Sequence, residues 1–137
     1  MIDRDLIEAS FEHAAETLGD ITPFAYQHFF ARYPQAEELF LCKGAQFKND
    51  LQNQMVRDAI YAFLEYLDTP DEVDIVFKYT IPQHLDLNIP MLYFNGLLEA
   101  VAEVVCGATP EAGKAATEAS WKVLLESIEE LVAHHTP

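Results

Sequence analysis

The sequence predicts an all-α domain of six to seven helices, and three observations carry that prediction. Apolar residues recur at spacings of three and four along most of the chain. Threonine-proline pairs at Thr22-Pro23, Thr69-Pro70 and Thr109-Pro110 each set an N-cap hydroxyl before a residue suited to the first helical position. No segment alternates like a strand for more than a few residues. At 137 residues and 50% hydrophobic composition, a chain of this size buries roughly two thirds of its unfolded surface. One domain spanning 1–137 with a continuous core is therefore expected.

The elements follow in order. Leu6, Ile7, Ser10, Phe11 and Ala14 recur at helical spacing, and Gly19 offers a left-handed stop. After Thr22-Pro23, the residues Phe24, Tyr26, Phe29, Phe30 and Tyr33 crowd one side, until Pro34 interrupts and begins a short helix ending at Leu39-Phe40. Cys42 to Ala45 read as a loop around Gly44. Val56, Ile60, Phe63, Leu64 and Leu67 then form the stripe of a long helix. Thr69 with Glu72 reads as a capping box opening a weaker helix through Val73, Ile75, Val76 and Tyr79, which Pro82 is expected to end or kink. Pro90 opens an apolar helix with Phe94, Leu97, Leu98, Val101 and Val105 inward and Gly107 as its stop. The last helix carries Trp121, Leu124, Leu125, Ile128 and Leu131.

Charge narrows the partners. Eight basic residues against 23 acidic ones give a formal charge of −15, which repels phosphate backbones and anionic lipids. Nucleic acid and membrane are not expected as partners. The longest stretch free of charged residues, Leu87 to Leu98, falls short of the ~18–20 apolar residues of a bilayer span. Met1-Ile2-Asp3-Arg4-Asp5 lacks the basic-then-apolar order of a secretory signal. With only Cys42 and Cys106, a reducing cytoplasmic setting is expected.

The sequence holds no glycine-rich phosphate loop, Cys-x-x-Cys, His-Glu-x-x-His or Gly-x-Ser-x-Gly elbow. Five histidines remain. His134 and His135 read as cations at a helix C-terminus, and His13 and His28 fall at polar positions. His84, in Ile81-Pro82-Gln83-His84-Leu85, lies between a weak helix and a strongly apolar one. By spacing alone it reads as an ordinary loop histidine.

A family resemblance gives His84 a different meaning. Tyr26-Gln27-His28-Phe29-Phe30-Ala31-Arg32-Tyr33-Pro34, with Leu39-Phe40 behind it, resembles the second and third helices of a bacterial globin. In that family an aromatic or leucine facing the haem is followed by a proline eight residues on and a haem-packing phenylalanine six later, and Tyr26, Pro34 and Phe40 keep those spacings. Gln83-His84, Ile89, Phe94 and Leu97-Leu98 are similar to the globin proximal-histidine helix running into its long apolar helix. Thr109-Pro110-Glu111 and Ala119-Ser120-Trp121 resemble the final helix. The likeness runs from Leu6-Ile7 to Leu131 and implies a globin fold around a haem pocket, akin to a flavohaemoglobin haem domain without its reductase.

The resemblance implies haem b (iron protoporphyrin IX) bound through His84, whose imidazole is the iron ligand, with its second ring nitrogen held by a backbone carbonyl. Phe40 would pack on the porphyrin and Phe94 beside the histidine. Tyr26 would stand on the distal side as a hydrogen-bond donor to the gas, with Gln52 as second donor and Val56 over the haem. A one-residue slip on that helix would bring in Leu51 and Met55 instead. The implied function is reversible binding of O₂ or a related diatomic such as NO or CO. One alternative is an NO dioxygenase or peroxidase served by a separate reductase; another is a haem-free globin-fold sensor or interaction domain. Departures from the pattern are Pro82 inside the proximal helix, Gln83 in place of a basic or hydroxyl residue, and Phe94 where flavohaemoglobins carry a tyrosine. No glutamate matches the one that supports their proximal histidine. Pairing with haem carboxylates would fall to groups such as Lys43 or Lys48.

Overall fold

The computed structural model describes residues 1–41 and 44–137; Cys42 and Lys43 of the expected loop lie outside them. The described residues are helical throughout, with no strand. Six α-helices are present: α1 (Arg4–Leu18), α2 (Thr22–Arg32), α3 (Lys48–Asp68), α4 (Pro70–Asp86), α5 (Met91–Gly107) and α6 (Lys114–His134). Short 3₁₀ segments cover Pro34–Leu41, Ala45–Phe47 and Glu111–Gly113. No single helix among them is long and apolar enough to cross a membrane.

Local chemistry sets the helix ends, though not always as expected. Asp3 caps α1 by accepting from the Leu6 N–H, and Gly19 ends it at φ 70°, a conformation open to glycine at little cost. Prolines do occupy the first turns of α2 and α4. The threonines before them, however, do not cap. Asp20 accepts from the Thr22 N–H at 2.9 Å in place of the Thr22 hydroxyl. Thr69 and Thr109 turn back to donate to Glu65 and to the Val105 carbonyl, closing the preceding helix instead of opening the next. The capping box with Glu72 is not formed. Proline rigidity marks the starts while the hydroxyls satisfy orphan carbonyls behind them. Pro82 likewise does not end α4, which continues to Asp86. Ile81, fully buried, anchors that turn, and a proline removes only one hydrogen bond there. The real stop is Asn88 at φ 61°.

The core is formed where α2 crosses α5 and where α6 packs on α1 and α5. At the α2–α5 crossing, a Cβ on Gly96 would lie 2.6 Å from the Tyr33 ring and 3.0 Å from the Phe29 ring, so only glycine permits the approach. Trp121 is 2% exposed, packed edge-on by Phe11 and Phe63 at centroid distances of 5.3 and 4.8 Å. Its indole N–H donates to the Ser10 hydroxyl at 2.9 Å. The other two helices, α3 and α4, join this core through Val56 and Phe63 and through Val73, Phe77 and Ile81. Thr69 alone joins α3 to α4, and the pair, called the wedge for the cavity that both helices line, is pinned to α1 by Arg4, which reaches the Leu67 carbonyl and Asp68.

Candidate functional site

Between the walls of the wedge lies a cavity of about 610 Å³, within the ~300–1,000 Å³ of small-molecule sites. One wall, α3, presents Leu51, Gln54, Met55, Asp58, Ala59, Tyr61, Ala62 and Glu65. The other, α4, presents Glu72, Val73, Val76, Phe77, Thr80, Gln83 and His84. Tyr93, Phe94, Leu97 and Leu98 of α5 form the floor, and Phe29, Ala36, Leu39 and Phe40 close the back. The lining is mostly apolar, and its charged members are all acidic: Asp58, Glu65 and Glu72. Burial pushes the Asp58 carboxyl above its ordinary value, against the pull of Arg57.

His84 is oriented from within its own helix. Its Nδ1 lies 2.8 Å from the Thr80 carbonyl oxygen. A carbonyl can only accept, so Nδ1 carries the proton and, in the neutral ring, Nε2 keeps a free lone pair. Phe94 meets the imidazole edge-on at 5.1 Å and 87°, and Phe77 in turn packs on Phe94 at 5.6 Å. The ring is thus held by a hydrogen bond on one nitrogen and an aromatic on its side, with a donor atom left for a ligand in the cavity.

Of the other residues the sequence singles out, Phe40 and Phe94 join His84 on the lining, while Tyr26, Gln52 and Val56 do not. Tyr26 is 4% exposed and donates its hydroxyl to the backbone carbonyl of Gln52 at 3.0 Å. Burial pushes that hydroxyl well above the usual phenol range. Its ring belongs to a cluster with Phe30 and Phe40, at 5.3 and 5.2 Å. The two expected donors are therefore tied to each other through the Gln52 main chain. Val56 is buried in the core. The slipped register, Leu51 and Met55, is the one that faces the cavity.

No family model matches this chain, and no solved structure matches it significantly.

Elsewhere, Lys48 pairs with Glu37 at 3.1 Å, and Lys43 lies outside the described residues. His135 is no free terminal cation: its Nε2 lies 2.8 Å from Asp74, tying α6 to α4. His28 meets Glu103 at 3.2 Å. No cluster of three metal-binding side chains occurs among the described residues, so a metal ion held by protein groups alone has no obvious seat there.

Proposed function

We propose that the chain is a haem-binding domain of the globin type that reversibly takes up a diatomic gas such as O₂, NO or CO. The observation that carries this reading is His84 on a largely apolar cavity, its Nδ1 held by the Thr80 carbonyl and its Nε2 free. A backbone carbonyl as partner of the second nitrogen fixes ring and tautomer, as protein ligands of metals commonly require. The helix order, with a 3₁₀ segment after α2 and the histidine late in α4, also supports a globin-type fold. The residues present fit the group: His84 would ligate the iron, Phe40 and Phe94 would pack on the ring, and Leu97, Leu98 and Val73 would exclude water. When bound, haem supplies an iron centre able to take up a diatomic ligand.

The same hydrogen bond favours ligand binding over the dioxygenase or peroxidase alternative. A carboxylate on Nδ1 would raise the basicity of the imidazole; His84 has a neutral carbonyl there, and Phe94 brings no hydroxyl. The haem-free alternative is weakened by the cavity, which the lining side chains leave open. The decisive experiment is titration of haemin into the purified chain. One haemin per chain, with the spectrum of an imidazole-ligated haem that His84→Ala loses while far-UV circular dichroism is retained, is the expected result. A wild-type chain that takes up no haemin, or a spectrum indifferent to His84→Ala, would falsify the reading.

A further inference from the structure

Resting on that haem reading, we infer that Met55 supplies a thioether as the second axial ligand of the iron held by His84, so that the resting site is closed to gas until Met55 swings away. The first support is longitudinal position in the wedge. Met55 precedes the Thr69 joint by fourteen residues and His84 follows it by fifteen. At ~1.5 Å per residue both stand ~21–22 Å along their helices from the joint. Leu51 lies ~6 Å farther out and Ala59 ~6 Å nearer in on the same measure. By this count Gln54 and Met55 are the cavity-lining residues of α3 whose distance from the joint matches that of His84.

Chemistry separates those two. Gln54 is exposed, and its amide oxygen is a hard donor. Met55 is half-buried, with apolar Leu51 and Ala59 one turn to either side, and carries the only sulfur among the described residues on the lining. A thioether is a soft ligand suited to haem iron, and His/Met ligation is a known axial pairing. A third observation removes the competing use of that level. Tyr26 is committed to the Gln52 carbonyl, so the side chain that family likeness would assign to holding a gas is off the lining, while Met55 is on it. Ligation is a donation of one Sδ lone pair to the iron; no proton or electron moves, and reversal restores an open position.

The consequence is a competition. A gas binds at a rate reduced by the fraction of sites with Met55 detached, and iron with this ligand pair has a raised reduction potential, which suits electron transfer as well as gas binding. The test uses the full chain loaded with haemin, in wild type, Met55→Leu, Met55→His and His84→Ala, read by absorption, electron paramagnetic resonance and CO association. Wild type is expected to be low-spin in both oxidation states, with the near-infrared charge-transfer feature of thioether-ligated ferric haem. Met55→Leu, close in volume, is expected to turn high-spin, lower the potential and speed CO association by about tenfold or more, the detached fraction being ~0.1 or less. Met55→His should remain low-spin without the thioether feature. High-spin wild type with a His84-dependent spectrum overturns Met55 ligation and leaves the haem reading standing, as does low-spin iron that persists in Met55→Leu. No haemin uptake overturns both.

Discussion

The block of α1, α2, α5 and α6 and the wedge of α3 and α4 share one core and differ in how fully their remaining apolar surface is covered. In the block, helices approach so closely that Gly96 has no room for a methyl group, and Trp121, Leu124 and Ile128 are almost wholly buried. In the wedge, Tyr61 is 60% exposed and Val76 46%, although both border the cavity. Apolar side chains left uncovered beside a cavity mark a site that something else is meant to fill. The contrast sets close packing in one half against a cavity bordered by uncovered apolar side chains in the other. Such an arrangement lets the second half stay loose without unfolding the first.

The comparison can be broken most forcefully at Trp121. Trp121→Ala removes the centre of the block and leaves Ser10 without its donor, so urea unfolding should show a loss of ~3–5 kcal/mol; a loss below 1 would mean that the block is not the stabilising half. Gly96→Ala should cost ~1–3 kcal/mol by forcing Tyr33 and Phe29 apart, measurable in the same way, whereas a neutral result would show that α2 and α5 have slack. Tyr26→Phe is expected to lose ~1 kcal/mol of stability and to leave haemin affinity unchanged. A large change in gas dissociation with little change in stability would put the hydroxyl back in the cavity.

A pH dependence sharpens the contrast within the block itself. Glu129 is pushed up to about 7 by burial first, then by the charge and hydrogen bond of Glu99 and the charge of Glu126. Its Oε1 is buried without a partner. Since the folded state holds this proton more tightly than the unfolded one, the stabilisation is complete below the ordinary glutamate range near 4.5 and is lost as pH rises through about 7. Glu129→Gln should therefore raise the urea midpoint at pH 8 and change it little at pH 4.5; equal effects at both would dismiss the raised proton affinity of Glu129. Smallest is a salt effect on the wedge. Haem carries two carboxylates, and Asp58, Glu65 and Glu72 border the cavity proposed for it, so haemin affinity should rise modestly as salt screens them. A fall with salt would mean that a cation dominates the approach.

Most of the fold is legible in the sequence because the core stripes are periodic. Val56 and Phe63 on α3, Val101 and Val105 on α5, and Trp121, Leu124 and Ile128 on α6 are read as inward and are buried. The cavity face of α3 is not legible in the same way. Leu51, Met55 and Ala62 alternate there with Gln54, Asp58 and Glu65, so a surface that borders an open cavity carries the pattern of one facing water. The stripe beginning at Val56 points into the core, and a register inferred from it selects Gln52 in place of Leu51 and Met55. The gap-free count from Tyr26 to Phe40 runs out before α3, where the Ala45–Phe47 turn intervenes. His84 is legible through family likeness alone; nothing in its spacing foretells the bond from Nδ1 to the Thr80 carbonyl.

Trp121, the only tryptophan in the chain, gives the molecule a built-in optical reporter. Its indole sits in the block, between Phe11 and Phe63 and bonded to Ser10. Its fluorescence therefore follows the block together with the turn of α3 that carries Phe63. Circular dichroism, which sums all helices, follows both halves. If the ends of α3 and α4 remote from Phe63 melt first, ellipticity falls while the emission keeps its buried colour, and the gap between the two curves measures how far those ends unfold independently; loss of all of α3 would uncover the indole and move both curves together.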